Sequence, residues 1–160
     1  MKQKSYFFRI IIAFCKFSVT VKIMKYILLP FVAWVVAGCL KFFVNYLRHG
    51  REAGKLIGYG GFPSTHTTVL SSVVFFTGFQ EGFYTPIFSL GLGGLLILII
   101  DAHGLRRKVG QQAQIINQLQ YKLYGNNINK LRERMGHSWL EILGGLALGF
   151  CLGYVFNLIR

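Results

Sequence analysis

Two histidines in this sequence stand where phosphate chemistry is possible. Pro63-Ser64-Thr65-His66 sets an imidazole in the first turn of a predicted helix, and His137 precedes Glu141 by four residues at the start of another. Residues four apart on a helix share a face. A carboxylate beside an imidazole fixes its tautomer and raises its basicity, the arrangement expected of a nucleophile or a general base. Lys41, Arg48, Arg106 and Arg107 are cations near the same apolar segment ends, with Asp101 and His103 beside them. Cations, a helix N-terminus and Ser64 together suit an anion.

Plainer roles exist for most of these groups. Lys41 can snorkel to lipid headgroups. Ser64, Thr65 and Thr67 can serve as helix caps, and Arg106, Arg107 and Lys108 as a lipid-surface patch. The His137–Glu141 pair favours function, because buried polar pairs in apolar helices are costly. His66, Asp101, His103 and His137 could supply metal ligands, but no helical ligand spacing such as HExxH is present, and no metal or other cofactor is expected.

The elements that carry these residues are apolar. The chain has 160 residues, 53% hydrophobic and 14% charged, against about a quarter charged in an average soluble domain. A soluble core of this size could not hide so much apolar surface, whereas a bilayer could. The formal charge of +13 suits anionic lipid or a phosphorylated ligand. Nucleic acid, the other common partner of basic chains, is not expected, since no such motif is visible. Cys15, Cys39 and Cys151 lie in apolar stretches without a CxxC pair, as buried or lipid-facing thiols do.

The apolar pattern predicts an all-α, polytopic transmembrane helix bundle with four spans. Residues 26–47 are 22 in number, about 33 Å as a helix, which crosses a hydrocarbon core. Residues 62–79, 85–100 and 138–159 follow, the second rich in Ser and Thr and suited to the bundle interior. Residues 1–24, interrupted by Arg9, Lys16 and Lys22, form a basic amphipathic extension or a weak first span; residues 25–160 are the main domain. Residues 104–136 are a polar loop with an amphipathic helix marked by Val109, Ile115, Ile116, Leu119 and Leu123. A turn is expected at Gly125, Asn126 and Asn127, and renewed helix over 128–135.

Span parity puts the loops after spans one and three on the same side. His66, Asp101 to Arg107, His137, Lys41 and Arg48 then gather at one end of the bundle, with Glu81 at the other. Ten cations in the site-side loops, among them Arg51, Lys55, Lys130, Arg132 and Arg134, argue for a cytoplasmic site. Six near the N-terminus argue for the opposite orientation if that segment is not a span.

Gly61-Phe62-Pro63-Ser64-Thr65-His66, Asp101 to Arg107 and Gly136 to Gly145 together resemble the divergent bacterial branch of the type 2 phosphatidic acid phosphatases. That branch is related to acid phosphatases and vanadium-dependent haloperoxidases. The resemblance runs from about Met24 to the C-terminus. The parent motif Lys-x6-Arg-Pro is matched by Lys41 and Arg48, with His49 for the proline; Pro-Ser-Gly-His is matched with Thr65 for the glycine. In the third motif His137 and Glu141 keep the His-x3-Asp spacing with Glu for Asp. Its arginine would fall at position 131, which is Leu131, leaving Arg106, Arg107, Arg132 and Arg134 as candidates. The resemblance implies hydrolysis of a lipid phosphate or diphosphate through a phosphohistidine on His137. Glu141 would orient that ring, His66 would act as general acid, and Lys41, Arg48, Ser64 and Arg106 or Arg107 would bind the phosphate. It also implies a multi-pass protein of the bacterial inner membrane. The departures leave open a degenerate site in a lipid-phosphate-binding, transport or scaffold protein, and self-association into a homo-oligomer.

Overall fold

The structure, a computed structural model, describes residues 2–50, 61–125, 129–133 and 135–159, with side chains from Thr20 onward except that of His49. Arg51, Lys55, Asn126, Asn127, Ile128 and Arg134 lie outside the described residues. The described elements are helical, with no strand among them: α1 (Lys2–His49), α2 (Thr65–Glu81), α3 (Pro86–Ile100), a π-helical turn (Asp101–Leu105), α4 (Arg106–Tyr124) and α5 (Trp139–Leu158).

α1 runs without a break through residue 24, where the composition changes from interrupted to continuous apolar. Pro30, near the start of the predicted span 26–47, is therefore deep inside a helix that begins at Lys2. Proline costs an internal hydrogen bond, a loss tolerated in membrane helices where neighbours and local adjustment compensate. Lys22 and Lys41 stand 19 residues apart, about 28 Å along the axis and close to the thickness of a hydrocarbon core. Lys22 pairs with Glu81 at 2.8 Å, and the Tyr26 hydroxyl donates to the same carboxylate at 3.1 Å. The Lys25 ammonium donates to the Ile159 carbonyl and Gln80 donates to Asn157 at 2.7 Å. These links close the bundle end opposite Lys41.

Three helical runs are long and apolar enough to cross a bilayer: Thr20–Arg48, Pro86–Tyr124 and Trp139–Leu158. Their outward side chains include Trp34, Phe31, Ile97, Leu90 and Leu140, all exposed, surface that acyl chains rather than water would cover. α2 has 17 residues, about 26 Å, and lies inside the bundle, so the second predicted span, 62–79, is a short interior helix. It starts at Thr65 because Ser64 is its cap. Its Thr67, Thr68, Ser71 and Ser72 are fully buried, each hydroxyl bonded within the helix or, for Ser71, also to the Gly145 carbonyl at 3.3 Å. This small-residue face meets Gly145, Gly149 and Gly153 of α5, which recur every four residues along one side.

α3 passes through the π-helical turn into α4 without leaving helical conformation. A turn at Gly125 (φ 67°) ends α4, as the sequence predicts. Residues 129–133 are not helical, contrary to the helix predicted over 128–135. Asn117 gives the physical reason. Its side-chain amide donates to the Leu131 carbonyl at 2.9 Å and to Glu133 Oε1 at 2.7 Å, while its carbonyl accepts from the Leu131 N–H at 2.8 Å. One buried amide thus satisfies backbone groups that a helix would otherwise satisfy. Gly110 lets the strap, residues 129–133 and 135–137, lie close: a Cβ there would sit 2.4 Å from the Glu133 carbonyl oxygen. Asn117→Leu removes the partners of both Leu131 backbone groups, which are only part-buried, and so frees that segment from α4. The expected result is faster hydrogen exchange at the Leu131 amide with the α2 amides unchanged; equal exchange in both proteins would show that the strap is held by other contacts.

Candidate functional site

The two motif histidines meet because the N-termini of α2 and α5 are pinned side by side. The Ser64 N–H donates to the Glu141 carbonyl at 2.8 Å, which sets His66, two residues on, beside the first turn of α5. The His137 N–H donates to the Ala102 carbonyl at 3.0 Å. Gly136 permits that approach. Its φ is +85°, and a Cβ would lie 2.9 Å from the Arg107 nitrogen and 3.0 Å from the Ala102 oxygen.

The His66 and His137 ring centroids are 6.5 Å apart with the planes inclined by 40°. Hydrogen bonds reach about 2.7–3.2 Å from a ring nitrogen, so a single tetrahedral anion can contact both. His137 Nδ1 lies 3.4 Å from Glu141 Oε2. That is ion-pair range without the geometry of a hydrogen bond, and this buried nitrogen has no hydrogen-bond partner among the described residues. Glu141 Oε2 also accepts from the Ser138 N–H at 3.0 Å, and Ser138 Oγ accepts from the Glu141 N–H at 3.3 Å, a reciprocal capping box. The sequence motif therefore carries two duties on one carboxylate.

Lys41, Arg106, Asp101 and His137 are the charged or titratable groups that act on His66. Arg106 is partly offset by its own carboxylate, with Nε 2.6 Å from Asp101 Oδ2. Lys41 is half-buried in α1, under the influence of Glu141 and Arg132. Arg132 thus lies on the site side through the strap, and Arg106 through the π-helical turn. A π turn inserts a residue into a helix and is common at functional sites.

Other sequence candidates stand further out. Arg48 is exposed on α1, two helical turns beyond Lys41 on the same side. Ser64 is fully buried, and its hydroxyl is engaged with Thr67 Oγ1 at 2.8 Å and with the Thr67 N–H at 3.5 Å. That is the capping role. Arg107 is exposed and lines an outward pocket with His103, Gly104, Lys108 and Gln111. His103 supports the site from behind: Nδ1 is 3.3 Å from the His137 carbonyl oxygen and its ring 4.5 Å from Trp139. Among the described residues no three His, Cys, Asp or Glu side chains form a group that could hold a metal ion.

Residues not singled out from the sequence complete the site. Asn45, buried one turn beyond Lys41, faces Gly61, whose notional Cβ would lie 3.4 Å from its Oδ1. An amide four residues after a lysine inside an apolar span was a legible signal. Gly110, Ala113 and Asn117, small or polar at helical spacing, also marked the buried side of α4.

A helical membrane protein with a histidine pair at one end of its bundle is the class that this fold and geometry define. The chain belongs to the divergent PAP2 family, whose model matches residues 23–152. It is similar to an uncharacterized membrane protein of Bacillus subtilis, YuiD, with 28% identity over 115 residues, 61% of this chain and 73% of that one. No solved structure matches it.

Proposed function

We propose that the protein hydrolyses a lipid phosphate or diphosphate in a bacterial plasma membrane, with His137 as nucleophile. The observation that carries this reading is the pair of imidazoles 6.5 Å apart with a carboxylate at Nδ1 of one of them. Glu141, in ion-pair range of Nδ1, favours the tautomer with its proton there, leaving the Nε2 lone pair to form a bond to phosphorus as the phosphorus–oxygen bond to the lipid breaks. His66 donates its proton to the departing oxygen, then takes one from the water that cleaves the phosphorus–nitrogen bond. Lys41 and Arg106, with Arg132 near Lys41, stabilise the negative non-bridging oxygens. Position at the bundle end matches a headgroup phosphate whose tail runs along the lipid-facing helices.

A second reading, lipid-phosphate binding without turnover, is favoured by two observations. Arg106 is already paired to Asp101, and the Ser64 hydroxyl is committed to its cap. Purified protein in detergent, offered phosphatidate, polyprenyl phosphate and polyprenyl diphosphate, separates the two. Phosphate release that falls to the blank in His137→Ala and in His66→Ala is the expected result. Saturable binding without release supports the second reading, and release that both variants retain overturns the assignment of the site.

A further inference from the structure

α4 carries a surface that the histidine pair does not use. Leu105, Val109, Ile116, Leu119 and Leu123, with Gln112 among them, fall along one side of this helix and its preceding turn, and all six are exposed. Leu119 is 54% and Leu123 73% exposed. The other side, Gly110, Ala113 and Asn117, is buried against the strap. α4 has no substantial packing with α1, α2 or α5.

Charge and position identify what covers the stripe. α4 contains Arg106, Arg107, Lys108 and Lys122 and no carboxylate. Lys108 and Lys122 stand within about 60° of Leu119 around the axis, at 3.6 residues per turn, so they border the stripe. α4 follows directly on α3, part of a run apolar enough to cross the bilayer, and so begins at headgroup depth. A helix with an apolar stripe bordered by lysines at that depth fits an anionic lipid surface. A second copy would set two uniformly cationic helices against each other, which opposes pairing.

We propose that α4 docks on the anionic leaflet beside the bundle, its leucines in the acyl boundary and its lysines on lipid phosphates. This docking holds the strap that carries His137. The strap is tied to α4 at Asn117 and by the close approaches at Gly110 and Gly136, so the position of α4 sets the position of that imidazole. The consequence for turnover rests on the phosphatase reading; the docking does not.

The test uses the full chain with Cys15, Cys39 and Cys151 replaced by alanine and a single spin-labelled cysteine, Leu119→Cys or Gln114→Cys. Each is reconstituted in phosphatidylcholine vesicles with or without phosphatidylglycerol. In anionic vesicles the label at 119 is expected to collide several-fold more with oxygen than with an aqueous nickel complex, and the label at 114 the reverse. Neutral vesicles should move the label at 119 toward water. Aqueous exposure of both labels in anionic vesicles overturns the proposal. So does dipolar broadening between labels at 119, which would assign the stripe to a second copy. Because the readout is label accessibility, an inactive protein still tests the docking, and loss of phosphate release does not bear on it.

Discussion

Gly149→Leu is expected to prevent accumulation of folded protein, whereas Gly93→Ala, in another membrane helix, is expected to be neutral or mildly stabilising. The difference lies in what a side chain would meet. At Gly149 a Cβ alone would sit 1.9 Å from Ser71 Oγ and 2.8 Å from both the Ser72 nitrogen and the Thr68 oxygen. The serine hydroxyl can rotate away, but the backbone of α2 cannot. α2 would have to separate from α5 along the whole Gly145–Gly149–Gly153 side, where Ser64, Thr67, Thr68, Ser72 and Phe76 approach equally closely. Overpacking of a tight interface costs about 1–3 kcal/mol and occasionally more. Folded domains hold only about 5–15 kcal/mol in reserve. Close approach of small residues is also a main source of helix association in lipid, where apolar burial between helices contributes little. At Gly93 nothing lies within 4 Å, and alanine gains about 0.5–1 kcal/mol over glycine in a helix interior. Melting temperatures in detergent, followed by size-exclusion chromatography of heated samples, check both. A Gly149→Leu protein that elutes and melts like the parent would mean that the α2–α5 crossing is not a principal support of the fold.

The same crossing shows what was legible in the sequence. The apolar runs located the membrane helices, and glycines recurring every four residues in the last of them marked a packing face. Parity of the spans brought His66, His137, Lys41 and Asp101 to one end, where the structure has them. Two features were not legible for physical reasons. Residues 129–133 have the composition of a helix, but a buried amide on a different helix offers their backbone better partners, and no local propensity reports a contact 14 residues away. The role of Ser64 was ambiguous because a hydroxyl at a helix start can serve either the helix or a ligand; only its full burial and its bond to Thr67 decide that it serves the helix. Cations inside residues 1–24 argue against a membrane span but not against a helix, and α1 continues through them.

Glu141→Gln is expected to lower the rate of phosphate release by about 10²–10⁴-fold, the range seen when a positioned acid–base group or its orienting carboxylate is removed, with the melting temperature unchanged. The contrast is possible because Glu141 serves two partners. Toward Ser138 it is the third-position member of a capping box, accepting from a backbone N–H at 3.0 Å, and glutamine fills that position as well as glutamate does. Toward His137 it is a negative charge 3.4 Å from Nδ1, and a neutral amide cannot stabilise the cationic ring that forms as phosphorus leaves or arrives. Glu141→Ala removes both duties and should add a loss of stability of about 1 kcal/mol, as lost caps do, to the same loss of rate. Glu141→Asp restores the charge with a shorter reach and should recover part of the rate. A glutamine variant that keeps the full rate would reduce Glu141 to a helix cap and leave His137 without its activating partner. In that case the anion-binding reading of the histidine pair would stand and the hydrolytic one would not.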